Sequence, residues 1–335
     1  MEKRAEKKKV VVIGGGTGTH TVLRGLKRYC NQIEISAIVT MADSGGSTGR
    51  LRDEFGYLPV GDVRMALAAL ASDIDEHEEL VRRLFLYRFA KGEGLSGHNF
   101  GNLLLVALAD LLGSEEKAIK AAGKLLGVCG EVLPVTVSSV NLVARYDDGV
   151  VVKGEHEIDE PGADRLSQRI VNLSVEPKAT ITKEARLALL KADLVVLGPG
   201  DLYTSLLANC VVDGVPQAIK EAHGKLVYIA NLMTKAGQTT GMKISDHVME
   251  VARYLGRSPD VVLVNNAPLP ADLLVAYAKD NEFPVEDDLT ESDCKVIRED
   301  LLTSEKIIKS DGDVLRRSLI RHDSQKLATE LLKLL

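Results

Sequence analysis

The chain has 335 residues, 45% hydrophobic and 27% charged, a composition typical of globular proteins that can bury one large core or two moderate ones. Its net charge of −6 argues against a nucleic-acid partner, which calls for a basic excess. No apolar run reaches the ~18–20 residues of a membrane span, no signal peptide is evident, and Cys30, Cys129, Cys210 and Cys294 lie far apart without a C-x-x-C pair. The expectation is a cytoplasmic protein with no membrane contact, no disulfide framework and no cysteine-based metal site.

The basic start (Lys3, Arg4, Lys7, Lys8, Lys9) reads as a solvated tail. Val10 to Ile13 is an apolar run bounded by charge and ended by Gly14-Gly15-Gly16, the pattern of a buried parallel strand. Thr19 to Tyr29 follows as a helix with Val22, Leu23 and Leu26 on one face, and Ile33 to Thr40 as a second strand. Strand, tight turn, helix and strand make a βαβ unit, which requires a parallel sheet. Helical periodicity then marks Asp62–Ala71, Glu76–Ala90, Phe100–Leu112 and Glu115–Leu126. Strand patterns return at Glu131–Val137, Asn141–Tyr146 and Val150–Lys153, the last two joined as a hairpin by Asp147-Asp148-Gly149. Alternation resumes with strands at Leu194–Leu197, Leu226–Ala230 and Val261–Asn265. Helices are expected at Tyr203–Leu207, Val215–Ala222, His247–Leu255 and Ala271–Lys279, and a last one ends in Leu331, Leu332, Leu334 and Leu335.

The pattern predicts one α/β domain over 1–335: a Rossmann-like, doubly wound, mainly parallel sheet from 9–60 and 170–335. Residues 61–169 are expected as a helical and β-hairpin insertion. In such folds the ligand lies at the carboxyl ends of the strands.

Three turns stand where that ligand is expected. Gly14-Gly15-Gly16-Thr17-Gly18 lets backbone approach a diphosphate, whose charge suits the start of a helix. Thr17 and Thr19 could add hydroxyls. The dinucleotide fingerprint is partial, because Thr19 stands in place of its third glycine, and the Walker pattern is absent. Asp43 to Arg50 follows the second strand: Asp43 suits ribose hydroxyls or magnesium, Gly45, Gly46 and Ser47 an anion nest, and Arg50 a phosphate. Gly198-Pro199-Gly200, with Thr204 and Ser205 in the next turn, repeats the first device. Asp62 and Asn99 read as helix caps or cleft residues, His98 and Asn102 as cleft residues, and Asn231 and Thr234 as readers of a base or sugar. Arg321-His322-Asp323 reads as solvated surface on charge alone.

Taken in order, VVIGGGTGTH, IVTMADSGGSTGRLR, VGDVRMALAAL, SGHNFGNLLL, VLGPGDLYTSLL, NLMTKAGQTTGM, SDHV and IRHD resemble the CofD-like family, and within it the YvcK-type gluconeogenesis factors. The resemblance spans Val10 to Asp323 and implies a nucleotide ligand, a UDP-sugar such as UDP-N-acetylglucosamine in that branch. It implies a regulator without turnover, tied to cell shape and envelope precursors during gluconeogenic growth. The family's enzyme branch implies the alternative, a magnesium-dependent 2-phospho-L-lactate transferase of deazaflavin coenzyme synthesis. An NAD-dependent oxidoreductase is the third reading. The family's binding positions fall on Gly15, Gly16, Thr17, Gly18, Asp43, Asp62, Asn99, Asn102, Gly198, Gly200 and Asn231, with Tyr277 placed to stack on uracil and Arg321 to hold the diphosphate. The same resemblance puts magnesium, if any, on Asp43 and Asp62. It leaves room for a homo-oligomer and names no protein partner. Two departures bear on the ligand: Ser44 replaces a usual second acid, and Asp201 a usual serine. The first weakens the metal case; the second sets a negative charge by the presumed phosphate.

Overall fold

The computed structural model describes residues 6–290, 294–304 and 318–335. Lys3 and Arg4 of the basic start lie outside them. Among the described residues ten strands carry the fold: β1 (Lys8–Gly14), β2 (Ile33–Val39), β3 (Glu131–Pro134), β4 (Asn141–Tyr146), β5 (Val151–Lys153), β6 (Ile170–Glu176), β7 (Leu194–Leu197), β8 (Lys225–Ile229), β9 (Val261–Asn265) and β10 (Lys295–Glu299). Seven form one sheet in the order β10-β9-β8-β7-β1-β2-β3, and every pairing in it is parallel. The other three form an antiparallel sheet, β5-β4-β6. The chain winds outward from β1 in one direction and from β7 in the other, so the strand order reverses between them. That is the Rossmann-like arrangement expected from the sequence, with its crevice at the β1/β7 junction.

The first helices are α1 (Gly16–Leu26), α2 (Gly46–Phe55), α3 (Gly61–Leu70), α4 (Glu76–Leu86), α5 (Phe100–Leu112), α6 (Glu115–Leu125) and α7 (Glu155–Asp159). They are followed by α8 (Lys183–Lys191), α9 (Ala208–Cys210), α10 (Val215–Glu221), α11 (Ile244–Leu255), α12 (Ala271–Ala278) and α13 (Ser324–Leu332). A π-helical turn at Leu202–Leu207 precedes α9. Strands β1, β7, β8 and β9 are apolar on both faces, because helices cover both sides of a parallel sheet. Helix α1 buries Val22, Leu23 and Leu26. Asp323 caps α13 by accepting from the amides of Gln325 and Lys326 at 2.8 and 2.9 Å, and Leu327, Leu331 and Leu334 are buried beneath that helix. A Cβ on Gly25 would collide with the Ser324 carbonyl, so α13 lies directly on α1.

Several expectations are corrected. Residues 131–134, assigned to the insertion, form the edge strand β3 of the main sheet, while 170–176, assigned to the core, belong to the small antiparallel sheet. The loop expected as an anion nest after Asp43 is the start of α2, with Gly45 at its N-cap. Cys30 and Cys129, 99 residues apart, are joined as a disulfide with Cα atoms 6.2 Å apart. Neighbouring strands β2 and β3 bring them together, a proximity that sequence spacing does not disclose. The expected hairpin is present: β4 and β5 pair across 147–149, with Gly149 at φ 86°. No helix among the described residues is long and apolar enough to cross a membrane.

Candidate functional site

A cavity of about 770 Å³ opens at the carboxyl ends of β1 and β7. Among its lining residues are Gly15, Gly16, Thr17, Gly18, Asp43, Gly45, Gly46, Ser47, Arg50, Asp62, Asn102, Gly200, Thr204, Ser205, Asn231, Tyr277 and Arg321. Two of the family's binding positions are not on its wall. Asn99 caps α5, accepting from the Gly101 amide at 2.9 Å and donating to the Leu86 carbonyl at 2.9 Å. Gly198 lies beneath the turn, where a Cβ would press on Thr19 Oγ1 and the Ile13 carbonyl.

The glycine turns are built against each other. A Cβ on Gly18 would strike the Pro199 carbonyl, so the turns after β1 and β7 touch through backbone. Gly16 is different: its φ is 60°, and a Cβ there would meet only Ser205 Oγ, at 3.7 Å. One glycine serves packing; the other presents backbone to the cavity. Thr19 is not the hydroxyl donor considered for it. It is buried, with its Oγ1 where a Cβ on Gly14 would lie, and so fills the place of the fingerprint's third glycine.

Acids form the cavity floor. Asp62 Oδ1 accepts from the Gly16 amide at 2.8 Å, and Asp43 Oδ1 accepts from the Gly45 amide at 2.9 Å. A Cβ on Gly15 would collide with Asp62 Oδ2, and one on Gly61 with Asp43 Oδ2. Each carboxylate therefore reaches its position through space that a glycine leaves open. Burial pushes the Asp62 carboxyl up to about 7, reinforced by the charge of Asp43, while Asp43 itself is raised chiefly by burial.

Sequence reading missed two further acids, Glu155 and Asp159 of α7. Glu155 accepts from the Ser44 amide at 3.4 Å, and the Ser44 hydroxyl accepts from the His156 amide at 3.0 Å. The residue that replaces a second acid thus anchors an acid brought from the insertion. Burial holds Glu155 well above the usual carboxylate range, with Asp43, Asp159 and Asp62 adding to the effect. Asp159 accepts from Thr204 Oγ1 and Gln238 Nε2, both at 3.1 Å, and lies 3.7 Å from Lys235.

Asp201 precedes the π-helical turn and makes no side-chain cap to it. Its carboxyl is pushed up to about 7, first by burial; Lys235 opposes the shift, while the charge of Asp159 and a hydrogen bond shared with it add to it. Two carboxyls joined by a hydrogen bond need a proton between them, which removes one of the charges expected to repel a phosphate.

The remaining polar residues brace these walls. Arg64, hidden in an apolar helical run, is buried and donates to Asn102 Oδ1 at 2.8 Å. Asn102 Nδ2 reaches Ser47 Oγ and Thr48 Oγ1, each at 3.4 Å. His98 is buried beside Ser47, 3.2 Å from its hydroxyl, and is absent from the cavity wall. Asn231 donates to the Gly200 carbonyl at 2.6 Å and accepts from the Tyr228 hydroxyl at 2.9 Å, which holds the second glycine turn. The Tyr277 hydroxyl accepts from the amides of Leu319 and Ile320 at 2.7 and 3.2 Å, anchoring the segment that brings Arg321 to the cavity. The triplet read as surface is therefore divided: Arg321 lines the cavity, His322 is buried, and Asp323 caps α13. No group of three or more His, Cys, Asp or Glu residues able to hold a metal occurs among the described residues.

A doubly wound parallel sheet whose two central strands end in facing glycine turns over an acidic floor defines a Rossmann-like α/β protein with a cavity at the switch point. The model of the family described as 2-phospho-L-lactate transferase CofD matches residues 10–302, and the chain belongs to that family. A relative from Aquifex aeolicus is 42% identical over 335 residues, covering 98% of this chain and 97% of its own. The gluconeogenesis factor of Bacillus subtilis is 39% identical, with 98% and 99% covered. A crystal structure of a UPF0052 family member from Bacillus halodurans superposes with a TM-score of 0.87 at 37% identity, covering 98% of this chain and 99% of that one.

Proposed function

We propose that the protein is a gluconeogenesis factor that binds a nucleotide diphosphate sugar of the UDP-N-acetylglucosamine type, as a cytoplasmic regulator of envelope precursors and cell shape. The observation that carries this reading is Gly16, whose backbone is open to the cavity at the start of α1, facing Ser205 across the β1/β7 junction. Backbone amides and the helix dipole at that point suit a diphosphate. Arg321 supplies a cation at the cavity wall, and Tyr277 an aromatic ring. The test is a thermal-shift and calorimetric comparison of UDP-N-acetylglucosamine, GDP and NAD. Selective stabilisation by the UDP-sugar is expected, of about 2.7 kcal/mol at a hundredfold excess over Kd. Selective stabilisation by NAD, or by none of the three, overturns the reading.

A second reading, a 2-phospho-L-lactate transferase, draws on the family's description and on the acidic floor. Asp43 and Asp62 interact closely, and two carboxylates with ligand phosphates are an ordinary donor set for magnesium. They fit the ion, which would polarise a phosphoryl oxygen there. The protein's own part is to keep Asp62 oriented at the cavity floor through its bond from the Gly16 amide. Incubation with a phospholactate-bearing guanosine diphosphate and a deazaflavin acceptor is expected to release no GMP. Release well above a boiled control would promote the transferase reading.

A further inference from the structure

The cavity has a cationic corner in which Arg50, read from the sequence as a phosphate ligand, is joined by Arg88, which sequence reading missed. Arg50 of α2 and Arg88, two residues past α4, both line the cavity and converge on one turn. Arg50 donates to the Ser96 carbonyl at 3.2 Å, and Arg88 to the Gly97 carbonyl at 2.8 Å. Gly97 has φ 79°, and a Cβ on it would come within 2.9 Å of the Arg50 guanidinium. A glycine there leaves the guanidinium its place.

This corner is separate from the glycine turns. The Gly16 amide is bonded to Asp62, Asp62 adjoins Asp43, Asp43 bonds Thr48, and Thr48 meets Asn102. That chain of acids and small polar groups runs from the start of α1 to Asn102 of α5, whereas the hydrogen bonds of the two arginines go to Ser96 and Gly97.

Two guanidinium groups directed at adjacent carbonyls repel each other. Neither forms an ion pair with a carboxylate among the described residues, although Glu54 is near enough to act on His98. Each guanidinium has five N–H donors in a fixed fork, and one bond to a carbonyl uses few of them. Carbonyl bonds also leave the charge in place. The corner thus combines unneutralised charge, spare planar donors and an open cavity, which together suit the bidentate binding of a carboxylate or phosphate. Buried His98, held below its ordinary pKa by burial and then by Arg50, registers the same positive potential.

We propose that Arg50 and Arg88 form a subsite for a second anionic group, a carboxylate or phosphate, held apart from the diphosphate. The anion enters as a separate small ion beside a neutral nucleotide-sugar, or is carried on the sugar of an acidic one; the second case keeps the nucleotide-sugar class proposed above and replaces its neutral sugar.

The test compares wild type with Arg88→Met and Arg50→Met, using UDP-glucose, UDP-glucuronate and inorganic phosphate as probes. If the anion is on the sugar, wild type binds UDP-glucuronate at least about tenfold more tightly than UDP-glucose, and either substitution removes the difference while UDP-glucose binding persists. If it is separate, inorganic phosphate raises the melting temperature of wild type, alone or with UDP-glucose, and either substitution abolishes that shift. The proposal is overturned when wild type does not favour UDP-glucuronate and phosphate acts equally on all three proteins. Failure of UDP-glucose, UDP-glucuronate and UDP-N-acetylglucosamine alike to bind removes the nucleotide reading instead, and the phosphate arm then decides the subsite. Arg50 is on the exposed side of α2, so its variant retains the fold if the Arg88 variant does not.

Discussion

Asp201→Asn tests the electrostatics of the cavity without any ligand. The Asp201 carboxyl moves from 3.8 to about 7, first because it is buried and then because of Asp159 and Glu282, with Lys235 opposing. That rise, at ~1.4 kcal/mol for each tenfold change in the proton equilibrium, sets a ceiling of about 4 kcal/mol. An open, hydrated cavity and the linked titration of neighbouring acids reduce this, so about 1–2 kcal/mol is expected. The folded pKa lies above the unfolded one. The contribution is therefore complete below pH ~4 and is lost as pH rises through ~7. Asparagine is neutral throughout and still donates to Asp159. The melting temperature of the variant minus that of wild type should thus grow by about 2–4 °C between pH 5 and pH 8, taking ~2 °C per kcal/mol for a chain of this size. Burial depresses His20 to about 3, and His247 and His322 to about 4, so they act in the opposite sense as pH falls below ~6.5. They are common to both proteins, and the difference cancels them. Scanning fluorimetry at matched ionic strength measures it; a difference that stays flat from pH 5 to pH 8 would refute a raised Asp201.

Other perturbations separate packing from binding. Gly16→Val should cost about 1–2 kcal/mol for its positive φ and abolish UDP-sugar binding in a folded protein, as read by melting and calorimetry together. Gly18→Ala should destabilise more than Gly16→Val, because its Cβ meets the Pro199 backbone; an equal or smaller loss of melting temperature would count against the contact between the turns. Arg321→Ala should weaken UDP-sugar binding about tenfold with little change in the melting temperature of the free protein, since charge-assisted bonds of this kind are worth about 1.5–3 kcal/mol. Magnesium should raise the melting temperature more at pH 8 than at pH 5, as Asp62 loses its proton, and Asp43→Asn should remove that gain in the same assay.

What the sequence discloses is governed by distance along the chain. β1, its glycine turn and α1 are legible because an apolar run, a turn and a 3.6-residue stripe are neighbours in sequence. The Gly198–Ser205 turn is legible for the same reason, and both fall at the switch point. Arg64 is hidden because one arginine in VRMALAAL does not disturb the apolar face of a helix. The edge strand β3 and the Cys30–Cys129 pair are invisible because they depend on which strand lies next to β2.

The acidic floor shows why a motif can be recognised while its chemistry is misjudged. Ser44 read in isolation is a lost carboxylate, and the metal case weakens with it. In the fold, Ser44 binds α7 through two hydrogen bonds, to Glu155 and His156, residues 111 and 112 positions away. The carboxyl that arrives is Glu155, so an acidic group is relocated rather than removed. Gly15 and Gly61 behave similarly: as letters they suggest phosphate contact or a tight turn, yet each vacates the space into which Asp62 or Asp43 projects. A glycine or serine at such a site specifies what a distant residue can occupy. That information belongs to the pair, and it becomes readable only when the strand order has brought the two segments together.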